Sequence, residues 1–273
     1  MAEQETLYEA LSYRACELEH RYGDHVHILS DPVLLTHLAR LCAQQTVQPS
    51  INQLVSTIYY DTLRQVANNE FPRATVSMET RMIAHTPKGV YHGEIIDQST
   101  KVVTVNIARA GTLPSQICFD TLNQLLDPTG VRQDHLIMGR TVDEQDRVTG
   151  AAVGGRKIGG NVDGRIVLFP DPMGATGSSL SRAINLYKQE VEGEATKYIA
   201  IHLIVTPEYL RRVTTDHPDL LVYAVRLDRG LSPAHVFDSI PGTHWDDERG
   251  LNDHQYIVPG GGGFGEIMNN ASY

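Results

Sequence analysis

The sequence predicts an α/β protein: a mainly parallel twisted sheet flanked by helices, with a helical N-terminal region and an irregular C-terminal segment. Three observations carry that prediction. Short apolar, β-branched runs recur after residue 101, at Val102 to Ile107, Leu136 to Met138, Ile166 to Phe169, Tyr198 to Val205 and Leu220 to Val225. Helical patterns fall between them, at Ile117 to Leu126, Ser179 to Val191 and Glu208 to Val213. Strands alternating with helices argue for a parallel sheet covered on both faces. In such sheets ligands bind outside the carboxyl ends of the strands, so chemistry is expected just after Ile107, Met138, Phe169 and Val225.

The first third, residues 1–72, reads as mostly helical. Leu7, Leu11 and Leu18 recur at helical spacing, and a short apolar step follows at Val26 to Leu29. Asp31-Pro32 has the pattern of an N-cap with proline in the first turn, opening a helix through Leu34, Leu38 and Leu41. Ser50 with Gln53 has the spacing of a capping box ahead of a second helix through Leu54, Ile58, Leu63 and Val66. Period-two alternation from Thr75 to Ala84 suggests a strand. Thr141 to Gly164 is Gly-rich with scattered basic residues and reads as a mobile excursion; residues 228–273 form a long, glycine-rich irregular tail. No low-complexity linker breaks the chain, so residues 1–273 are read as one domain.

Composition narrows the function. Lys plus Arg number 23 against 33 Asp plus Glu, a net charge of −10. So acidic a chain lacks the basic face that counterion release from nucleic acid or an anionic membrane requires. Cys16, Cys42 and Cys118 are odd in number and far apart, which fits reduced thiols in a cytoplasmic protein. The acidic start, Met1-Ala2-Glu3-Gln4-Glu5, argues against a targeting peptide, and no apolar run is long enough for a bilayer.

The most informative segment is Ile166-Val167-Leu168-Phe169-Pro170-Asp171-Pro172-Met173-Gly174-Ala175-Thr176-Gly177-Ser178-Ser179-Leu180. A buried strand ends in a carboxylate, and a small, hydroxyl-rich loop leads into a helix. Unpaired N–H groups at a helix start, aided by the macrodipole, favour a phosphate. Thr176, Ser178 and Ser179 add hydroxyls, Gly177 permits close approach, and Asp171 can accept from two vicinal sugar hydroxyls. Thr-Gly-Ser-Ser alone would serve an ordinary capped turn; the acid at this offset after an apolar strand points to a phosphorylated sugar.

This segment resembles the phosphoribosyl diphosphate motif of type I phosphoribosyltransferases, and its Asp-Pro-Met-x-Ala-Thr-Gly-x-Ser form is similar to that of uracil phosphoribosyltransferases. Three further stretches extend the resemblance over roughly Asp31 to Glu266: Ile107-Ala108-Arg109-Ala110-Gly111, Met138-Gly139-Arg140, and Leu251-Asn252-Asp253-His254-Gln255-Tyr256-Ile257-Val258-Pro259-Gly260. The resemblance implies an enzyme that joins uracil to phosphoribosyl diphosphate, giving uridine monophosphate and diphosphate in pyrimidine salvage. It implies that Arg109 and Arg140 take up charge on the leaving diphosphate. It implies that Asp171 to Ser179 (Asp171, Pro172, Met173, Gly174, Ala175, Thr176, Gly177, Ser178, Ser179) hold the phosphoribosyl group. A C-terminal hood would read uracil through the main chain of Ile257, Gly262 and Phe264, with Tyr256 and Gly263 beside them. It further implies Mg²⁺ carried on the substrate's phosphates rather than on a protein metal site, and a homodimer.

The chain departs from that pattern where the family's hood reads Pro-Gly-x-Gly-Asp-x-Gly-Asp. Here Gly263 replaces the first Asp, expected near the metal and ribose diphosphate, and Glu266 replaces the second. An insertion with Trp245 lies between Asp228-Arg229-Gly230-Leu231 and Glu248-Arg249-Gly250-Leu251. Gly263 keeps open a non-catalytic, regulatory nucleotide-binding homologue, and a hood that reads mainly through backbone keeps open a phosphoribosyltransferase for another base. Gly260-x-Gly262-x-x-Gly265 formally matches a dinucleotide fingerprint but is not read as followed by a helix and second strand. Gly150 to Lys157 lacks the Gly-Lys-Ser/Thr ending of a phosphate loop. His25-x-His27 and the Asp246, Asp247, His254 group are read as solvated or packed side chains.

Overall fold

The computed structural model describes residues 6–142 and 148–271, with the side chains of residues 140–151 outside the description. Its elements are β1 (Val26–Ile28), α1 (Pro32–Leu41), α2 (Ser50–Glu70), β2 (Arg73–Glu79), β3 (Val90–Ile96), β4 (Val102–Ala108), α3 (Thr112–Leu125), β5 (Val131–Val142), β6 (Val148–Lys157), β7 (Ile166–Pro170), β8 (Met173–Gly174), α4 (Ser178–Glu190), β9 (Lys197–Val205), α5 (Pro207–Asp216), β10 (Leu220–Leu227), α6 (Ala234–Phe237) and α7 (Phe264–Ile267). The main sheet has the order β1-β10-β9-β7-β4-β5-β6, with β8 alongside β9; β2 and β3 form a separate antiparallel pair. Every pairing in the main sheet is parallel except β5 with β6.

The continuous apolar runs make the central strands because both faces are covered. Along β7, Ile166 and Leu168 join the core layer under α1, α2 and α3, while Val167 and Phe169 join the layer under α4 and α5. β9 divides the same way, Ile199, Ile201 and Leu203 to one side and Tyr198 and Ala200 to the other. The strand period of two places consecutive residues in opposite cores. Asp31 caps α1 as expected, its Oδ1 accepting from Val33 N at 2.9 Å and Leu34 N at 3.1 Å, with Pro32 in the first turn.

Several local readings change. Residues 7–18 form no helix, and Leu7, Leu11 and Leu18 are exposed. The cap of α2 is Pro49 without a side-chain bond, and Ser50 is already inside the helix. The strand read from Thr75 to Ala84 stops at Glu79, followed by a 3₁₀ turn at Arg81–Ala84 capped by Thr80. Of the excursion after Thr141, residues 143–147 lie outside the described residues and Val148–Lys157 form β6, which pairs with the twelve-residue β5 from His135 and Lys157 to Val142 and Val148. Among the described residues no helix is long and apolar enough to cross a membrane.

Candidate active site

Parallel pairing sends the carboxyl ends of β4, β7, β9 and β10 to one edge of the sheet, and a cleft of about 910 Å³ opens there. Its floor is the loop after β7. Asp171 N donates to Ile201 O at 3.1 Å, and Pro172 O accepts from Leu203 N and Ile204 N, so the loop re-enters the sheet as β8 instead of leaving it. The sequence reading had a free loop here. Pro172 and Gly174 consequently serve the sheet and do not line the cleft, whereas Asp171, Met173, Ala175, Thr176, Gly177, Ser178 and Ser179 do.

Gly177 opens α4 with φ of +78°, and a Cβ there would lie 3.1 Å from Val213 Cγ1 and 3.3 Å from the Arg212 side chain. The backbone angle favours glycine here, and a Cβ would also crowd the Val213 and Arg212 side chains. Gly177 brings no capping side chain to α4, and Ser178 N makes only a long, 3.4 Å contact to Thr176 Oγ1, so the helix start can offer N–H groups to the cleft. Thr176 Oγ1 and Ser178 Oγ lie 2.7 Å apart beside them, two hydroxyls that can turn their protons to an anion.

Asp171 is half-buried, and burial pushes its carboxyl up to about 6, opposed by the Met173 N–H at 3.4 Å. Beneath it sits a residue pair that motif reading missed. His202 Nδ1 lies 2.5 Å from Asp171 O and its Nε2 lies 2.5 Å from Tyr209 Oη. A carbonyl only accepts, so Nδ1 carries the proton and Nε2 accepts from the tyrosine. Burial holds the imidazole down to about 4, which keeps that neutral tautomer. Nothing in the sequence marks His202, because its partners come from β7 and α5.

Arg109 follows β4 and lines the cleft with Ala110. Its Nη2 is 2.5 Å from Glu266 Oε1 on α7, across the cleft mouth. Gly139 lines the opposite wall; the backbone of Arg140 lies in β5, and its side chain is outside the described residues. The hood closes the far side through Tyr256, Ile257, Gly262, Gly263 and Phe264, joined by Gln255, which the sequence reading did not select. Phe264 O already accepts from Met268 N at 3.2 Å, leaving one lone-pair direction for a second donor.

Two carboxylates hold the hood in place. Asp228, just past β10, takes a two-pronged ion pair from Arg226 at 2.6 and 2.7 Å and accepts from Gly260 N at 2.7 Å; Arg226 Nη2 donates to Gly260 O at 2.9 Å. Glu208, in the first turn of α5, accepts from Gly250 N at 3.0 Å and Leu251 N at 3.3 Å.

A parallel sheet ending in an acid-tipped strand, a glycine-opened helix and a main-chain-rich hood defines a type I phosphoribosyltransferase. The uracil phosphoribosyltransferase family model matches residues 28–244, and the chain belongs to that family. It is 27% identical to a uracil phosphoribosyltransferase of Dictyoglomus thermophilum over 89% of this chain and 98% of that protein. It is 28% identical to one of Variovorax paradoxus over 88% and 96%. A solved structure from Aquifex aeolicus shares the fold with a TM-score of 0.68 at 20% identity, covering 90% of this chain and 99% of that one. The protein is an enzyme of the glycosyltransferase type that carries out phosphoribosyl transfer.

Asp228→Ala would strand the Arg226 guanidinium and free Gly260. We expect a loss of about 3 kcal/mol in urea unfolding, with faster amide exchange confined to 256–266 and unchanged protection in β7. Uniform exchange across the chain, or none in the hood, would refute the pinning role.

Proposed function

We propose that the cleft joins N1 of uracil to C1′ of phosphoribosyl diphosphate, releasing diphosphate and giving uridine monophosphate. One observation supports this reading above the others: the Asp171 to Ser179 loop, Arg109 and the main-chain-rich hood face one another across a single cleft. The α4 N-terminus with Thr176 and Ser178 anchors the 5′-phosphate, and the Asp171 carboxylate accepts from the ribose hydroxyls. Uracil is flat and neutral with alternating donors and acceptors, so the main chain of Ile257, Gly262 and Phe264 suits its edge, with Tyr256 beside it. As the C1′–O bond to diphosphate breaks, positive charge develops on the ribose and negative charge on the leaving group. Arg109, joined by Arg140 from β5, takes up the latter. The N1–C1′ bond forms on the ring face opposite the departing diphosphate, and the N1 proton is lost to the open cleft.

Mg²⁺ prefers oxygen ligands and usually travels on substrate phosphates. Asp171 and Glu266 are carboxylates on the cleft wall that suit such an ion, which would supply charge neutralisation on the diphosphate. The same reading carries one phosphoribosyltransferase-like domain over 1–273 and a cytoplasmic homodimer, for which the exposed Tyr8, Met78 and Met82 beside β2 and β3 offer apolar surface.

A second reading rests on the Arg109–Glu266 ion pair and on Gly263. With its arginine already engaged and one carboxylate missing, the cleft would bind nucleotide without turnover. Incubation with labelled uracil, phosphoribosyl diphosphate and Mg²⁺ separates the two. We expect uridine monophosphate that disappears on chelation; binding of uridine monophosphate with no product from any base supports the second reading instead.

The raised Asp171 carboxyl makes a pH prediction. Its folded value, about 6, lies above the usual carboxylate range. The form that accepts from sugar hydroxyls is therefore lost as pH falls through about 6. Calorimetry from pH 5 to 8 should show uridine monophosphate affinity rising more steeply in the wild type than in Asp171→Asn. The phosphate's own ionisation near 6 is common to both proteins. Parallel profiles would remove Asp171 from the ribose site.

Gly263 has φ of −83° and ψ of 96° at the start of α7, with no side-chain cap. An L-residue is accommodated at those angles, and Asp is a favoured N-cap. Gly263→Asp should raise turnover by about tenfold, equivalent to about 1.4 kcal/mol of transition-state stabilisation, while leaving KM for uracil nearly unchanged. Gly263→Ala is the control; equal turnover in the two variants would show that a carboxylate is not what this position lacks.

A further inference from the structure

The insertion between Asp228 and Glu248 brings together three side chains that the phosphoribosyl site does not use. His235 lies on α6, and His244 and Asp247 lie on the turn that follows. Their ligand atoms all fall within 4.8 Å of one another. His235 Nε2 is 3.1 Å from Asp247 Oδ2, and the two imidazoles meet edge to face with centroids 5.2 Å apart. None of the three lines the substrate cleft. Two neighbouring carboxylates are otherwise engaged: Asp246 pairs with Arg211 at 2.7 Å, and Glu248 is buried against Tyr22 and Arg229.

We propose that His235, His244 and Asp247 form a surface site for a divalent transition-metal ion of the zinc class. Tetrahedral Zn²⁺ with bonds of about 2.0–2.1 Å places its ligand atoms about 3.3 Å apart. The His235–Asp247 separation already matches that spacing, and the remaining atoms need to close by at most about 1.5 Å. All three side chains are exposed, so rotation about their own bonds supplies the movement. Two imidazoles select a borderline-soft ion, whereas Mg²⁺ demands oxygen ligands; this site is therefore separate from the magnesium of the proposed reaction. A water completes the fourth position, as in three-ligand sites.

The arrangement also defines what the ion would do. Residues 235 and 247 bracket most of the insertion, and the chain between them is held by turn bonds such as Thr243 N to Ile240 O and by ties to the rest of the fold, Arg21 N to Pro241 O, Arg229 to Ser239 O and Trp245 to Pro207 O. A metal bridging the bracket closes that loop. Its binding energy then adds to stability, because the unfolded chain does not present the three ligands together.

The test uses the full-length, tag-free chain after chelation and buffer exchange. Calorimetric titration with ZnCl₂ should give one ion per chain. Titration with Co²⁺ should produce the visible d–d absorption of a low-coordinate site, and zinc should raise the melting temperature. His235→Gln and His244→Gln should each weaken Zn²⁺ binding at least tenfold and abolish the cobalt spectrum. His85→Gln, at an exposed histidine away from the insertion, should leave both unchanged. Far-ultraviolet circular dichroism of each variant checks that the fold is intact. Absence of saturable binding, or binding equally insensitive to all three substitutions, overturns the proposal. Because none of these readouts is uridine monophosphate formation, the outcome is independent of the reaction proposed above.

Discussion

Parallel pairing is the constraint on which the rest of this molecule depends. When β4, β7, β9 and β10 run the same way, their carboxyl ends and the helix N-termini that follow them collect at one edge. That edge inherits unpaired main-chain groups and converging helix dipoles, and therefore attracts acids, hydroxyls and anions. The opposite edge receives the starts of these strands and the carboxyl end of the antiparallel β6. The cleft is in this sense a by-product of topology, and the sequence adds only what distinguishes this site: an acid at the end of β7, a glycine before α4, and an arginine after β4.

Three buried or half-buried carboxylates near the sheet show how partners decide the fate of a charge. Asp134 is fully buried yet satisfied by Arg132 at 2.9 and 3.1 Å, by Gly159 N and by Tyr187 Oη. Asp228 has its two-pronged arginine. Both are structural fixtures whose oxygens are spoken for. Among the described residues Asp171 has no basic partner in hydrogen-bond range and receives a single, long N–H contact, so desolvation wins and its carboxyl is pushed upward. A carboxylate left under-paired beside a cleft retains its capacity to accept from a ligand, and this separates Asp171 chemically from the other two.

The parts legible in the sequence were those encoded locally. Ile166 to Phe169 and Tyr198 to Val205 announced buried strands because both faces are covered, and Asp31-Pro32 announced α1 because the cap is a two-residue event. Tertiary partners hid the rest. β5 extends well beyond Leu136 to Met138 because Arg132 and Asp134 pay for each other's burial, a pairing completed by Tyr187 fifty-three positions away. His202 carries no motif, since its bonds reach β7 and α5. Leu7, Leu11 and Leu18 keep helical spacing yet lie exposed outside any helix, and periodicity alone cannot report whether a face is buried.

The insertion bears on the cleft through what it touches. Glu248, almost wholly buried, accepts from Tyr22 Oη at 2.5 Å, Arg229 Nη1 at 3.0 Å and Gly242 N at 2.8 Å. Trp245 packs edge-on against Tyr22 and donates to Pro207 O at the head of α5. From there the connections run directly to the hood: Gly230 N donates to Val258 O, Leu231 N to Arg249 O, and Glu208, next to Pro207, receives Gly250 and Leu251. The hood is thus fastened on one side by the Arg226–Asp228 pair and on the other by a buttress built from the insertion and α5. Since the hood supplies its groups to the cleft as main chain, their aim depends on backbone position rather than on rotamers. A hood of that kind needs support along its whole length, and the insertion provides the half that the sheet edge cannot reach.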